Sequence, residues 1–169
     1  MRRVVTGHRN GKSVIVDDAE ISGQGIFGSE FIGVWETKET PTIPLKERDH
    51  TKQPVYHFPK PGGTYFGVVS LPPDEVIKKK AKEEDVDPDE HWRKLYGDEP
   101  GMHTTDTVDY DIVLSGEICM EVDDGVEVHL KPFDCVVQNG TRHAWRNRGT
   151  ETCVMASFII GANRRQNTE

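Results

Sequence analysis

From Tyr110 onward the chain divides into short apolar runs at nearly even spacing, and most of the breaks between them carry a glycine. The runs are Ile112 to Leu114, Ile118 to Val122, Val126 to Leu130, Cys135 to Val137, Ala144-Trp145 and Cys153 to Ile160. Ser115-Gly116, Asp124-Gly125, Asn139-Gly140 and Arg148-Gly149 lie between them. Segments this short cannot build stable helices, whereas strands of three to eight residues joined by tight turns pair readily into antiparallel sheets. The second half of the chain is therefore confined to a mainly β sandwich or barrel.

The first half is more mixed. Asn10-Gly11 between Val4-Val5 and Ser13 to Val16 is a hairpin signal. Phe31 to Thr37 and Tyr65 to Leu71 read as further strands, and Thr40 to Pro54 reads as a surface loop. Pro72-Pro73-Asp74-Glu75 places proline and acids where a helix starts. Asp87-Pro88-Asp89-Glu90 repeats that pattern with a capping box, so a second short helix is expected, with Trp92, Leu95 and Tyr96 on one face and Gly97 at its end. The expected organisation is N-terminal strands and loops over 1–71, a helical excursion over 72–97 and the barrel core over 98–169, all in one domain.

A chain of 169 residues is long enough for one sizeable core and short for two. Its net charge of −8 argues against nucleic-acid and anionic-membrane partners, which both require a positive patch. No apolar stretch approaches the ~20 residues a membrane helix needs, and Met1 to His8 has no apolar signal core. Cys119, Cys135 and Cys153 are not spaced as metal pairs. They are read as core or strand residues in a reducing cytoplasm, which is the expected location.

Two stretches carry the chemistry. His103 to Gly116 reads H-T-T-D-T-V-D-Y-D-I-V-L-S-G, and Gly140 to Asn147 reads G-T-R-H-A-W-R-N. Each sets histidines or carboxylates beside turn glycines in strand-like surroundings. The pair resembles the two motifs of the cupin family. Gly97, His103, Gly116, Gly140, His143 and Asn147 fall on the family spacing. Thr105 stands where the family has a second His, Asp109 where it has Glu, and Gln138 where it has Pro. Pro132-Phe133 replaces the usual glycine before Asp134. The resemblance implies a cupin-type double-stranded β-helix, a jelly-roll barrel with one or two short helices, and a homodimer.

Met102 to Asn147, with the opening Arg2 to His8, is similar in more detail to a group of small single-domain cupins from bacteria and fungi. Some of these lie beside secondary-metabolite genes and are labelled cupin-domain oxidoreductases. The group carries Thr and Asp at the positions of Thr105 and Asp109. The resemblance implies a small-molecule enzyme, a metal-dependent oxidoreductase acting on an aromatic or polyketide-like skeleton, with a metal-free cupin that binds a small ligand without redox activity as the alternative.

Residues i and i+2 of a strand share a face, so His103 and Thr105 are expected to point together into the barrel, joined by Asp109 and His143. With Thr105 in place of a histidine, two imidazoles and one carboxylate remain. His103, Asp109 and His143 are thus candidate ligands for a divalent Fe, Mn, Ni or Zn ion, the set used by non-haem iron oxygenases. Thr105 would then hold water or face substrate. The alternative is a metal-free pocket in which Asp109 and the two histidines, His103 and His143, act as acid–base groups or only hydrogen-bond to a ligand without redox chemistry; among them Asp109 and His143 are the candidate catalytic groups. Trp145 is read as a core aromatic or as a wall of this pocket, and Arg142 as balancing surface acids or reaching an anionic substrate.

Overall fold

The computed structural model describes residues 1–44, 52–87 and 101–165. It is mainly β, with a single α-helix among these residues. Asn10 and Gly11 both adopt positive φ and close a hairpin between β1 (Arg2–Arg9) and β2 (Lys12–Glu20). Buried Arg3 leans this hairpin on the next strands: its guanidinium pairs with Asp17 at 2.7 Å and donates to the Val34 carbonyl.

The remaining strands are β3 (Gln24–Ile26), β4 (Ser29–Thr37), β5 (Thr64–Leu71), β6 (Thr107–Ser115), β7 (Ile118–Glu121), β8 (Glu127–Leu130), β9 (Cys135–Gln138), β10 (Ala144–Arg146) and β11 (Cys153–Gly161). They form a six-stranded antiparallel sheet ordered β3-β4-β5-β11-β6-β9 and a three-stranded sheet ordered β10-β7-β8. Between the sheets lies an apolar cluster of Val113, Ile118, Met120, Leu130, Cys153 and Met155. The turn glycines act as the sequence demands. Gly116 turns β6 into β7 at positive φ, and a Cβ there would meet the Thr152 carbonyl at 2.5 Å. The three cysteines are free thiols on strands, with Cys153 buried and Cys135 exposed.

Helix α1 (Asp74–Glu83) begins immediately after Pro72-Pro73, with Asp74 and Glu75 in its first turn and Lys80 and Lys82 in its last, matching both ends of the helix dipole. It seats Ala81 at zero exposure. The second expected helix, with Trp92, Leu95, Tyr96 and Gly97, lies outside the described residues. Asn147 ties α1 to the barrel. Its backbone exchanges hydrogen bonds with Asp74, donating to Oδ1 at 3.0 Å and accepting from N–H at 2.9 Å. Its side-chain amide donates to the Leu71 and Glu151 carbonyls, each at 2.8 Å.

The two central strands have an inverted pattern. On β6 the inward residues are Thr107, Asp109, Asp111 and Val113, all buried, while Tyr110 and Leu114 are exposed on the outside. Its neighbour β11 turns buried Ser157 inward and exposed Phe158 outward. From Thr107 to Asp111 on β6, and at Ser157 on β11, polar side chains face in, while Tyr110 and Phe158 face out. Interior carboxylates are costly unless they serve a site, so this inversion marks where the cavity lies.

Candidate ligand cavity at the polar end of the barrel

A cavity of about 480 Å³ opens beyond the apolar cluster. His103, His143, Asp109, Asp111 and Ser157 contribute its polar surface, and Phe31, Tyr56, Phe58 and Trp145 supply aromatic walls. This volume is within the range of small-molecule sites. Arg146 and Glu121, both in the lining, pair at 2.6 Å with each side chain about one-fifth exposed, and Asp74, Lys78 and Arg148 add further charge to the wall.

His103 and His143 come from different motifs and are fastened to each other by an antiparallel bridge. The N–H of each donates to the other's carbonyl, at 2.9 and 3.0 Å, and the rings lie 4.3 Å apart. The Trp145 ring meets His143 edge-on at 5.9 Å. His103 Nδ1 lies 2.9 Å from the Gly101 carbonyl, a contact that requires an N–H there. Gly140 turns into this region at positive φ, where a Cβ would press on the Thr105 and Thr107 carbonyls.

Burial controls the electrostatics. Desolvation, and secondly the neighbouring His103, lower the His143 pKa to about 4, so its imidazole is uncharged at neutral pH. Burial lowers His103 as well, opposed by its bond to Gly101. The carboxyls move the other way. Burial pushes Asp111 up to about 6, against a hydrogen bond from Ser157 and with added repulsion from Asp109. Asp109 is also raised by burial, with Thr107 pulling it back; its Oδ1 is buried without a hydrogen-bond partner.

Residues 95–160 match the family model described as a cupin domain. This stretch is a cupin domain. Over 52 residues, 31% of this chain and 28% of the relative, it is 50% identical to phomopsin biosynthesis cluster protein C' of Diaporthe leptostromiformis. Over 63 residues it is 41% identical to oryzines biosynthesis cluster protein J of Aspergillus oryzae, covering 37% of this chain and 35% of that one. The matched stretches thus span about a third of the length of these curated relatives. The cupin domain of Schizosaccharomyces pombe Cnp3 aligns over 95% of this chain and 87% of its own, at 12% identity and a TM-score of 0.49.

A cupin is expected to hold a divalent metal on converging histidines and a carboxylate, and the residues described here do not fit that expectation. The two histidines meet, but among the described residues no three His, Cys, Asp or Glu side chains gather closely enough to hold an ion. His103, Asp109 and His143 do line one cavity, as the motif spacing leads one to expect, but among the described residues they are not drawn together into an ion-holding cluster. Asp109 sits inside β6, paired on one side with Gln138 and on the other with Ile159. A backbone held in two ladders cannot advance to make up for the methylene that Asp lacks relative to Glu.

Thr105 stands apart from the cavity. The chain passes through a bend at Asp106 before β6 begins at Thr107. Thr105 is buried with its hydroxyl 2.7 Å from that of Thr107, and it is not among the residues lining the cavity. Trp145 does line the cavity, as do Arg146 and Arg148. Arg142 instead pairs with Asp123 at 2.8 Å, in an exposed position away from the cavity lining.

Sequence reasoning passed over Asp111 and Ser157. The signal for Asp111 was present: it is two residues from Asp109 in a strand, hence on the same face. Ser157 became visible only through pairing, since it lies opposite Asp111 in the β11–β6 register.

Proposed function

We propose that this cupin binds a small organic molecule with an aromatic or polyketide-like skeleton and oxygen substituents, and moves a proton on it inside the barrel. One observation carries this reading. Uncharged histidines and carboxyls of raised pKa line the same aromatic-walled cavity, the separation of protonation preferences from which acid–base sites are made. Asp111, with a pKa of about 6, exchanges its proton near the working pH range, where general acid–base groups are most effective. His143 stays neutral there and serves as a polar contact. The partial likeness to proteins of the phomopsin and oryzines clusters supports a secondary metabolite as the ligand class.

A metal-dependent oxidoreductase is the other chemistry this family suggests. It would need ligands that the described residues do not bring together, so proton transfer stands ahead of it. The test incubates candidate phenols, enols and β-dicarbonyl compounds with the protein in D₂O and follows deuterium incorporation by mass spectrometry. Exchange that is retained by the wild type after chelation and lost in D111N supports the reading. Binding without exchange would leave a ligand-binding module. Stoichiometric iron, manganese, nickel or zinc after supplementation, with turnover that depends on it, would replace the reading with the metal-dependent one.

We further propose that the protein works as a homodimer through the outer face of the six-stranded sheet. Phe66, Phe158, Tyr110 and Val137 stand directly opposite one another across β5, β11, β6 and β9, and the first two rings stack at 4.4 Å. This row carries no charge on a chain of net charge −8. A second copy is the occupant that fits, because two such chains repel wherever their acidic surfaces meet and an uncharged face avoids that cost.

A further inference from the structure

Gln138 occupies the position where the cupin motif carries proline, and it is one of the most completely buried side chains of the protein, at 1% exposure. Its amide touches three groups. Oε1 accepts the N–H of Gly140. Nε2 lies 3.3 Å from the Thr141 carbonyl and 2.9 Å from Nδ1 of His143. A side-chain amide can be turned end for end, and its orientation has to be decided from its neighbours. Here the decision is forced. The Gly140 N–H is a backbone donor and cannot accept, so the oxygen must face it and the NH₂ must face His143.

That orientation bears on the imidazole. A neutral histidine has one N–H and one bare nitrogen, and the partner of one nitrogen selects the state of the other. Nδ1 of His143 has two neighbours that ask for opposite states. The Thr141 carbonyl at 3.0 Å favours an N–H, whereas the Gln138 NH₂ at 2.9 Å favours a bare lone pair. The carbonyl has a second donor, since Gln138 itself reaches it. The Gln138 NH₂, buried and fixed, would otherwise press a proton against another N–H. An opposed donor pair in a buried setting is the more costly defect.

We propose that Gln138 is a positioning residue that holds His143 as the Nε2–H tautomer, so that the imidazole offers a hydrogen-bond donor to the cavity. This inference deepens the small-molecule reading above and rests on it for its functional meaning. His143 then contacts an oxygen of the ligand, such as a carbonyl, enolate or carboxylate oxygen. A metal or a proton to be abstracted needs the opposite state, a bare Nε2. A proline at position 138 has no side-chain donor and leaves Nδ1 to the Thr141 carbonyl, which gives that opposite state. The substitution of one residue in the motif thus changes what the conserved-spacing histidine presents.

The test reads the tautomer directly in the ligand-free protein, so it does not depend on any ligand being found. Long-range proton–nitrogen correlation of ¹⁵N-labelled protein at neutral pH distinguishes protonated from bare ring nitrogens, and loss of the signal set in H143N assigns it. In the wild type the proton is expected on Nε2. Q138E keeps an acceptor for Gly140 but replaces the donor facing Nδ1 with an oxygen, so the two nitrogen resonances should exchange places. Q138L, which keeps no polar atom, should move the proton to Nδ1 through the Thr141 carbonyl. A wild-type proton on Nδ1 overturns the proposal, and so does an unchanged tautomer in a folded Q138E or Q138L variant. If both variants fail to fold, the wild-type measurement decides alone.

Discussion

At one end of the space between the sheets, β6 and β11 contribute Val113, Cys153 and Met155 to an apolar cluster completed by Ile118, Met120 and Leu130. At the other end the same two strands contribute Asp109, Asp111 and Ser157 to the cavity wall, beside the apolar Ile159 and with Met155 shared between cluster and cavity. The change takes place within one register: Met155 stands opposite Val113, and one inward position further Ser157 stands opposite Asp111. The fold is stabilised where the strands face one another dry. It carries strain of another kind, buried ionisable groups, where they face the cavity. The comparison teaches that position along a strand, and not the strand itself, decides whether an inward residue is an apolar support or an ionisable group of the cavity, with Met155 at the boundary between the two.

The largest effect should come from breaking the dry end. Ile118 is 1% exposed within the cluster, and Ile118→Ala should cost about 2–4 kcal/mol of stability in urea unfolding. The His143 resonances should stay in place. A loss below about 1 kcal/mol would mean that the cluster does not hold the barrel.

At the polar end, two substitutions should tilt the pH dependence of stability in opposite directions. Asp111 has a native pKa of about 6 against an ordinary 3.8, so the folded protein holds this proton more tightly than the unfolded chain does. The associated stability is fully present below about pH 3.8 and is lost as pH rises through 6. Asp111→Asn removes that loss and should gain roughly 3 kcal/mol on the wild type at pH 7, by conversion of the shift, with no gain below pH 4. His143 has a native pKa of about 4 against 6.5, so the unfolded chain takes up this proton first. Stability rises with pH across that interval. His143→Asn should flatten that rise and leave the Asp111 slope exposed. Unfolding free energies from pH 4 to 8 for the three proteins check both signs, and parallel curves would refute the placement of these groups.

The smallest effect on the fold and the sharpest on assembly is expected at the outer face. Tyr110 is 48% exposed in the apolar row, and Tyr110→Lys should change stability by no more than about 0.5 kcal/mol. In sedimentation it should shift a dimeric wild type to monomer. A monomeric wild type at all concentrations would remove the dimer, and a dimeric variant would move its surface elsewhere.

Much of the architecture was legible in the sequence because turn chemistry is local. Asn10-Gly11, Ser115-Gly116 and Asn139-Gly140 need no distant partner to announce a turn, and the strands between them lie where the apolar runs end. The helix start after Pro72-Pro73 was legible for the same reason. The cavity was only half legible. His103, His143 and Asp109 are legible from motif spacing, but that spacing does not convey that the Thr105 hydroxyl turns to Thr107 and not to the cavity lining. Nor could it convey that Asp109 is locked between two ladders. Gln138 stood out only as a departure from a pattern; its meaning depends on three contacts that fold together from the β9–β10 turn. Distances between side chains decide chemistry, and sequence spacing constrains them only within one element.

The reciprocal bonds between Asn147 and Asp74 have a consequence for how the molecule breathes. The N–H of each residue is held by the other, one on a carbonyl and one on a carboxylate, and the Asn147 amide group reaches the end of β5 at Leu71 as well. The first turn of α1 therefore cannot fray by itself: releasing it also frees the residue that follows β10 and the chain leaving β5. In native-state hydrogen exchange, the amides of Asp74 and Asn147 should lose protection at the same rate and with the same denaturant dependence, as members of one opening unit.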